Sequence, residues 1–599
     1  MFFDEVSAYY EKLENTSSRL SMVDILSELF SKAKPDEIKN LIYLTQGVLA
    51  PPFEGVQIGI AEKFAESAIA TASGYSKEEA IASFRKTGDL GHSAEELIRK
   101  GKLRPLSRKH LEVNHVFESM KKIAGTSGVG SQGAKIGFLV ELLASASPLE
   151  ARYLIRFALG KLRLGAGDAT IIESLAKAYA GDRKAKTSLE NAYNICSDLG
   201  KVGQVIREKG LKGIEGITVS MFEPIRPALA ERLPTAEQIL EKMGGRCAIE
   251  SKYDGLRAQV HIDRRKGRVK IFSRNLEDLT DMFPDIAKAA LHEVDAKEAI
   301  IEGEAISYDE VTGEFRPFQE TIQRKRKHGV AQKIEEIPIH LFAFDLMYLD
   351  GDDYLGKSYE ERRKKLESII KGDGLIRFSD RIIATTPRQV DKYFEDAIEN
   401  GLEGIVAKDL NSVYVAGARK FSWIKLKRSY KGELSDTIDL VILGYYRGKG
   451  QRTEFGLGGL LAGVYNEKKD IFETISKIGT GLSEKQMQSI SNLLKKTKLT
   501  KKPARVEALV SPDFWVEPEY VITVRADEIT RSPMHTCGKE GEEPGYALRF
   551  PRLVSDGIRE DKSADDATTT KEIMEMFNQQ KKVKVQDLPW ERTWTIRNY

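Results

Sequence analysis

Apolar spacing changes near residue 213, and this change limits the chain to folds that join a helical part to a strand-rich part. Before it, apolar residues recur every three or four positions, as in Leu26, Leu29 and Phe30, which is the period of an α-helix. After it, Ala258 and Val260 alternate with polar residues, which is the period of a half-buried strand. We therefore predict a multidomain α+β protein that begins with an all-helical region.

Length and punctuation divide the chain further. A chain of 599 residues is too long for one hydrophobic core and should form about three or four domains. Glycine-punctuated strands follow Asp439, which suits a β-barrel of about 130 residues, and a helical pattern begins near Thr569. We predict a helical domain at 1–215, a central domain at 216–430, and a β-barrel domain with a C-terminal helix and tail at 431–599.

Composition excludes several classes of protein. The formal net charge is only +3, which does not fit a polybasic or histone-like protein. Cys196, Cys247 and Cys537 are too few and too far apart for a disulfide framework or a four-ligand zinc site. The N-terminus lacks a basic segment followed by an apolar core, and no apolar run is long enough to cross a bilayer. We expect a monomer in the reducing cytoplasm, with no membrane partner.

Lys252 is the first candidate for chemistry. It lies in the segment Glu250–Gly255, ESKYDG, between an apolar run and a turn. A lysine there can attack the α-phosphate of a nucleotide if its pKa, normally about 10.4, is lowered by burial or nearby cations. Arg257 begins the next strand and can bind a phosphate through two donors. The pattern alone is weak, and an arginine exposed on a β-hairpin is the simpler interpretation.

Carboxylates occur in two later strand-like segments. Glu302 and Glu304 fall on one face of a run that includes Ile300 and Ile306. Two carboxylates among apolar neighbours are costly without a cation or a hydrogen-bond donor, so a metal ion or a ribose hydroxyl would explain them. Glu403 precedes a further strand. The alternative is that these glutamates lie exposed on edge strands.

Aromatic and basic strands complete the set. Phe342 and Phe344 share a strand face, where they either stack on a nucleotide base or simply fill the core. Further on, Lys425 and Lys427 share a face with Trp423. Neighbouring lysines on one strand face repel unless an anion lies between them, and a triphosphate would serve. An exposed basic strand is again the simpler interpretation.

A glycine-rich stretch at 128–135 is not a nucleotide site. It lacks the G-K-[ST] ending of a phosphate loop, and no strand-like run precedes it. A helix start that contacts a nucleic-acid phosphate is the better interpretation.

Taken in order, these segments resemble the ATP-dependent DNA ligases of archaea and the related replicative enzymes of eukaryotes. The segment ESKYDG with Arg257 is similar to the family's nucleophile motif, and residues 549–552 and 559–562 are similar to its last motif. Residues 156–165 resemble its duplex-gripping helical domain. The resemblance implies a helical DNA-binding domain, a central antiparallel-sheet nucleotidyltransferase domain of ATP-grasp-like type, and a C-terminal OB-fold. The tail after Asn578 matches no motif, and we assign it no function.

The resemblance also implies a role for each candidate residue. Lys252 would carry AMP as a covalent adduct. The residues that bind ATP would be Glu250, Arg257, Arg274, Glu304, Phe344, Arg419, Lys425, Lys427, Arg559 and Lys562. Glu304 and Glu403 would hold Mg²⁺, with Mn²⁺ as an alternative. Lys161 and Arg163 would contact DNA.

The implied reaction seals nicks in duplex DNA during replication, repair and recombination. AMP would pass from ATP to Lys252 and then to the 5′-phosphate of the nick, and attack by the 3′-hydroxyl would release it. Arg559 and Lys562 would orient pyrophosphate in the first step. Nicked double-stranded DNA would be bound mainly through its phosphates, with strong salt dependence. We expect a nucleoid-associated enzyme, with the replication sliding clamp as a further partner.

Four other functions compete with this one. An RNA ligase or an mRNA capping enzyme would use the same lysine and strands, but capping enzymes lack a helical domain of about 215 residues ahead of the lysine. An NAD-dependent ligase usually carries a four-cysteine zinc module, which three scattered cysteines cannot supply. A non-catalytic protein that binds duplex DNA or a clamp would not need Lys252, Glu304, Glu403 and Lys425 together.

Overall fold

The computed structural model describes residues 1–101, 110–181, 183–309, 314–315, 321, 337–400, 402–427, 437–448, 456–479, 482–559 and 561–582. Two compact units make up the chain: Met1–Phe394 with Asn400–Lys425, and Glu395–Glu399 with Leu426–Tyr599. Trp590 and Trp594, in the tail to which we assign no function, lie outside the described residues. Among the described residues, no helix is both long and apolar enough to cross a membrane.

The N-terminal region is helical, as the apolar spacing predicts. Its helices share one hydrophobic core and are α1 (Phe3–Glu14), α2 (Arg19–Lys32), α3 (Ile38–Gln46), α4 (Glu62–Ser73), α5 (Lys77–Thr87), α6 (Leu90–Arg99), α7 (Val113–Gly125), α8 (Ser131–Ser145), α9 (Pro148–Ala158), α10 (Asp168–Tyr179), α11 (Arg183–Cys196) and α12 (Leu199–Glu215). Ser76 and Ser147 begin α5 and α9 with capping boxes, which satisfy backbone N–H groups that the helices cannot satisfy themselves. The glycine-rich stretch contains the N-cap of α8, Gly130, in a left-handed conformation.

Helices α6 and α9 cross closely at Gly91. A side chain there would begin 2.7 Å from the Arg152 carbonyl oxygen and 2.7 Å from Arg156 Cγ. Next to the crossing, the buried Arg156 guanidinium donates to both carboxylate oxygens of Glu14 at 2.9 Å and to Asp89 at 3.2 Å. Arg156, which belongs to the segment that resembles a duplex-gripping domain, therefore binds carboxylates inside its own region.

The central region contains two sheets flanked by helices. Its elements are β1 (Leu229–Arg232), α13 (Ala236–Lys242), β2 (Cys247–Lys252), β3 (Leu256–Asp263), β4 (Arg268–Ser273), α14 (Pro284–Glu293), β5 (Glu298–Asp309), β6 (Glu314–Phe315), β7 (Ile339–Leu349), β8 (Asp352–Asp353), α15 (Tyr359–Ile369), β9 (Ile376–Phe378), β10 (Arg381–Ala384), α16 (Pro387–Glu399), β11 (Gly404–Lys408) and β12 (Arg419–Lys427). In the described residues one sheet has the order β1-β12-β11-β2-β10, and the other has β4-β3-β5-β7-β8 with β6 on β5 and β9 on β7. The pairs β2–β10, β2–β11, β3–β4, β3–β5 and β5–β7 are antiparallel, as predicted, whereas β1–β12 and β7–β9 are parallel.

Strand β3 is buried more completely than its alternating sequence predicts. Gln259 and His261, expected on an exposed face, are 4% and 0% exposed. Both bind the segment that leads in from the helical region: Gln259 pairs with the backbone N–H and C=O of Ile225 at 2.8 and 2.9 Å, and His261 Nδ1 accepts the Phe222 N–H at 3.0 Å. The expectation of a half-buried strand was wrong because this entry segment covers the second face.

The C-terminal region is strand-rich, and a helix ends its described part, both as predicted. Its elements are β13 (Ile438–Tyr446), β14 (Gly459–Asn466), β15 (Ile471–Ile478), α17 (Glu484–Leu494), β16 (Lys498–Leu499), β17 (Val506–Glu507), β18 (Phe514–Val516), β19 (Val521–Arg525), β20 (Glu528–Ser532), β21 (Gly545–Arg549), β22 (Arg552–Ile558) and α18 (Thr570–Lys582). The main sheet has the order β16-β18-β13-β14-β15-β17, and β19 joins β13 to β22. The buried Glu473 accepts hydrogen bonds from Gly538 N and Thr570 Oγ1, which fastens α18 to the sheet.

Candidate active site

Lys252 ends β2 beside the segment that carries Glu403. Gly404 lies opposite Lys252 in the β2–β11 pairing, and the Glu403 N–H donates to the Lys252 carbonyl at 2.9 Å. The Lys252 amine is 2.6 Å from a Glu403 carboxylate oxygen. Burial alone would lower the pKa of Lys252, but the carboxylates of Glu403 and Glu304 outweigh it and raise the pKa above its usual value. Lys252 is therefore charged in this arrangement, whereas we expected burial or nearby cations to lower its pKa.

Glu304 faces the same site from the other sheet. It lies on β5, directly opposite Arg257 on β3. Burial raises the pKa of Glu304 to about 7, although the positive charges of Lys252 and Arg257 act in the opposite direction. Two sheets thus bring Lys252, Glu304 and Glu403 together.

Arg257 is bound to a carboxylate inside the protein. It donates to both oxygens of Glu302, at 2.8 and 2.9 Å, and to the Ala228 carbonyl at 2.7 Å. Tyr414 completes this cluster, because its hydroxyl donates to Glu302 at 2.9 Å. Glu302, one of the two carboxylates noted in the sequence, has Arg257 as its cation partner. Arg257 thus makes the expected contact through two donors, but its acceptor is the Glu302 carboxylate and not a phosphate.

The Glu250 carboxylate also faces inward. It is 2% exposed, lies 2.8 Å from the Lys408 amine and 3.4 Å from Arg363, and accepts a hydrogen bond from the Tyr359 hydroxyl. Its backbone pairs with β10 on one side and with β11 on the other. The side chain that we expected to bind ATP is thus surrounded by donors from the protein itself.

Phe344 lies between cations on β7. Its ring is 4.6 Å from the Lys408 amine and 5.6 Å from the Arg257 guanidinium, and it meets Trp423 edge to face at 5.9 Å. Phe342, its neighbour in the sequence pattern, stacks on Tyr253 at 4.7 Å. Phe344 is only half buried and Phe342 is buried, so the strand places one aromatic residue in the core and the other at the site.

Several other expected ATP contacts lie along the edges of the central region. Arg274 is exposed in the turn after β4, where it lines a cavity of about 480 Å³ with Asp168 and Tyr193 of the helical region. Arg419 begins β12 on the exposed side, and Lys425 and Lys427 are half-buried near its end. The sequence-predicted basic strand is therefore present.

Arg559 and Lys562 are bound to carboxylates of the C-terminal unit. Lys562 donates to Asp439 at 2.6 Å, and Arg559 donates to both oxygens of Asp561 at 2.7 and 2.6 Å. Arg559 also donates to the Thr523 hydroxyl at 3.1 Å. Acids within the same unit therefore balance the charges of both cations.

The two predicted DNA contacts have different surroundings. Lys161 forms a surface ion pair with Glu62 at 2.8 Å, and both side chains are about half exposed. Arg163, held at a positive φ of 59°, donates to the buried Asp89 at 2.6 Å. Lys161 is therefore the more accessible of the two cations.

Sequence reasoning missed most of the buried polar partners. Lys408, Tyr414 and the fully buried ion pair of Asp345 with Arg362 were not among the candidate residues. One signal was present: a charged residue at the end of an apolar strand, as at Lys408, must be paired if that strand is central. No sequence spacing identifies the partner.

A divalent cation fits the residues next to Lys252. Mg²⁺ binds oxygen ligands and is usually held by one or two carboxylates together with substrate phosphates. Glu304 and Glu403 are two carboxylates that both act on Lys252. Within the described ranges, no group of three or more potential metal-ligating side chains occurs. Glu304 and Glu403 could supply two of the oxygen ligands of such an ion, with the remaining ligands coming from substrate phosphates and water.

A lysine at a strand end, carboxylates from two sheets and a basic strand define a nucleotidyltransferase domain. The model of the family described as "ATP dependent DNA ligase domain" matches residues 227–427. Those described as "DNA ligase N terminus" and "ATP dependent DNA ligase C terminal region" match residues 2–176 and 453–562. The chain belongs to the ATP-dependent DNA ligase family.

Named relatives agree with this assignment over nearly the full length. A "Probable DNA ligase" of Dictyoglomus thermophilum is 47% identical over 98% of this chain and 99% of its own. A "DNA ligase" of Saccharolobus solfataricus is 41% identical, with the same coverage of both chains. The solved structure described as "Pmar-Lig_PreS3" superposes with a TM-score of 0.54 at 17% identity, over 92% of this chain and 98% of that one, and supports the fold.

Proposed function

We propose that this ATP-dependent DNA ligase seals nicks in duplex DNA through an AMP adduct on Lys252. The observation that carries the proposal is the position of the Lys252 amine, 2.6 Å from Glu403 and close to Glu304. In the first step Lys252 Nζ bonds to the α-phosphorus of ATP, the bond to the β-phosphate oxygen breaks, and pyrophosphate leaves. The 5′-phosphate of the nick then takes AMP from Lys252. Attack by the 3′-hydroxyl forms the phosphodiester and releases AMP.

The charge of Lys252 has to change before it can attack. Its amine is protonated while Glu403 and Glu304 hold it, and a nucleophilic amine must be neutral. A magnesium ion bound by these carboxylates would weaken their hold on the ammonium and neutralise charge on the phosphates. The proton that Lys252 loses would pass to solvent. We propose Mg²⁺ as the cofactor, with Mn²⁺ as an alternative.

The other candidate residues would position the nucleotide. We propose that Phe344 stacks on adenine and that Lys425, Lys427, Arg274 and Arg419 lie near the phosphates. Glu250 and Arg257, whose side chains bind protein groups, would act through backbone contacts and by shaping the pocket. Arg559 and Lys562 would bind pyrophosphate after release from their carboxylate partners, and the C-terminal region would be an OB-fold.

We further propose that the domains divide at about residues 215 and 430. The helical domain and the C-terminal domain would bind nicked duplex DNA through its phosphates, with Lys161 as a direct phosphate contact and with Arg163 held by Asp89. The enzyme would work as a monomer in replication, repair and recombination, with the sliding clamp as a further partner.

The decisive experiment is a test of the Lys252 adduct. Lys252→Ala is expected to abolish the labelled protein formed with α-³²P-ATP and Mg²⁺, because no other nucleophile replaces the amine. Lys288→Ala, an exposed lysine on α14, is the control and should label as the wild type does. Full labelling of Lys252→Ala would refute the assignment. Sealing of a nicked DNA duplex is then measured with ATP, GTP or NAD as the nucleotide, and sealing of nicked RNA is measured for comparison. These assays separate the RNA ligase, capping and NAD-dependent alternatives.

A further inference from the structure

Lys408 ends β11 with its amine fully enclosed. The side chain is 1% exposed, and Nζ lies 2.8 Å from Glu250 and donates to the Phe344 carbonyl at 3.2 Å. Three aromatic rings surround the amine, those of Phe344, Tyr359 and Trp423, at 4.6, 5.0 and 4.3 Å. An ammonium close to several aromatic rings gains cation–π attraction in each contact, which fixes its position.

These contacts join the two sheets of the central region. Lys408, Glu250 and Trp423 belong to the β1-β12-β11-β2-β10 sheet, whereas Phe344 belongs to the sheet that contains β5 and β7. Lys252 lies on the first sheet and Glu304 on the second. The distance between nucleophile and carboxylate therefore depends on how the two sheets are held against each other.

Stability alone gives a weak reason for this buried pair. Replacing a buried ion pair by well-packed apolar residues is often neutral or stabilising, because both ions lose their hydration on burial. A buried lysine that touches two sheets, by contrast, can fix their relative position.

We propose that Lys408 is a positioning residue for the nucleotide. Through its contacts with Glu250 and Phe344 it holds the two sheets in the relative position that the bound base and Lys252 require. The proposal rests on the proposed function, because it takes Phe344 and Lys252 as nucleotide contacts. Lys408 itself need not touch the nucleotide. Its loss should weaken ATP binding even where the protein stays folded.

The test compares ATP binding and self-adenylation in three variants. Lys408→Met removes the cation at similar volume and should raise the KM for ATP about tenfold, the size of one lost buried hydrogen bond to a charged group. Lys408→Arg keeps the cation and should raise KM less. Lys408→Met combined with Glu250→Gln removes both charges of the pair, and Arg363 keeps Glu367 as its partner at 2.7 Å. The melting temperature of this double variant should return towards the wild-type value while its KM stays high.

Lys469→Met is the matched control. Lys469 also pairs with a buried carboxylate, Glu473 at 3.3 Å, but in the C-terminal unit, and its loss should leave KM unchanged. An unchanged KM in Lys408→Met and in the double variant would overturn the proposal, and so would a double variant whose KM returns to the wild-type value. ATP binding is also measured by calorimetry in Lys252→Ala and in Lys252→Ala combined with Lys408→Met. This comparison tests Lys408 even if Lys252 forms no adduct.

Discussion

Burial and hydrogen-bond or ion partners determine the protonation states of individual residues near the site. Burial raises the pKa of Glu304 to about 7 and lowers that of His261 to about 3. His261 is neutral in the fold, because its Nδ1 accepts the Phe222 N–H and a protonated ring would present a donor there. The sequence indicates which residues are titratable, but neither shift can be predicted from it, because each depends on what covers the side chain.

The buried His261 should make folding sensitive to moderate acid. Its folded pKa of about 3 lies below the unfolded value of about 6.5, so its contribution is complete above pH 6.5 and is lost as the pH falls towards 3. Between pH 7.5 and 5.0 the loss is about 2 kcal/mol, from about 1.4 kcal/mol for each pH unit below 6.5. His261→Gln, which keeps an acceptor, should therefore lose about 2 °C less in melting temperature over this range than the wild type does.

The exposed His292 on α14 provides the control for this measurement. His292→Gln should show the same pH dependence as the wild type. If His261→Gln melted with the full wild-type pH dependence, the neutral buried state of His261 would be incorrect.

Secondary-structure elements are the part of this protein that the sequence predicts best. The helices of residues 1–215, the strands that carry Glu302 and Phe342 and the strands after Asp439 all occur, because their apolar periods and turn residues are local signals. Parallel pairs such as β1–β12 were not predicted, since pairing direction depends on contacts far apart in sequence. Sequence periodicity also cannot show that a charged side chain such as Arg156 is buried by its ion partners.

The crossing of α6 and α9 depends on the absence of a side chain at Gly91. Gly91→Ala places a methyl group 2.7 Å from Arg152 O and Arg156 Cγ, so the helices must separate, at a cost of about 1–3 kcal/mol. Differential scanning calorimetry should show a lower melting temperature for the variant.

Gly133→Ala on α8 supplies the comparison, because nothing lies within 4 Å of its added methyl group. Alanine favours a helix over glycine by about 1 kcal/mol, so this variant should be unchanged or more stable. Equal melting temperatures for the two variants would show that α6 and α9 adjust without cost.

For the whole molecule, the ordered set of motifs was sufficient to predict the family. Single motifs were weak, but their order along the chain matches the nucleotidyltransferase region and the domains on either side of it. The site was predicted less completely. Lys252, Glu304 and Glu403 do meet, whereas the side chains of Glu250 and Arg257 turn inward to Lys408 and Glu302. Both faces of these strands, β2 and β3, are buried. The tertiary fold therefore decides which partner each charged side chain binds.

Binding of DNA should distinguish the two predicted cations of the helical region. Removing one cation that binds a DNA phosphate lowers the slope of log K against log salt by about 0.9. Lys161→Gln should produce such a change, since the Lys161 amine forms an exposed pair with Glu62. Arg163→Gln should mainly lower thermal stability, because Asp89 is buried and would no longer have its partner at 2.6 Å.

Fluorescence anisotropy of a nicked duplex at several salt concentrations measures both slopes. Arg163→Lys, which keeps the charge, controls for the change of shape. If Arg163→Gln lowered the slope of log K against log salt as much as Lys161→Gln does, Arg163 would have to leave Asp89 and bind a DNA phosphate.

The carboxylates beside Arg559 and Lys562 bear on the direction of the reaction. Asp439 and Asp561 are part of the same chain and are present at a fixed, high effective concentration, whereas pyrophosphate has to arrive from solution. Once pyrophosphate has left, Asp439 and Asp561 would pair again with Lys562 and Arg559. This pairing would oppose the rebinding of pyrophosphate. If the two cations bind pyrophosphate as proposed, Asp439 and Asp561 would make adenylation of Lys252 harder to reverse, and the enzyme would remain charged with AMP until it meets a nick.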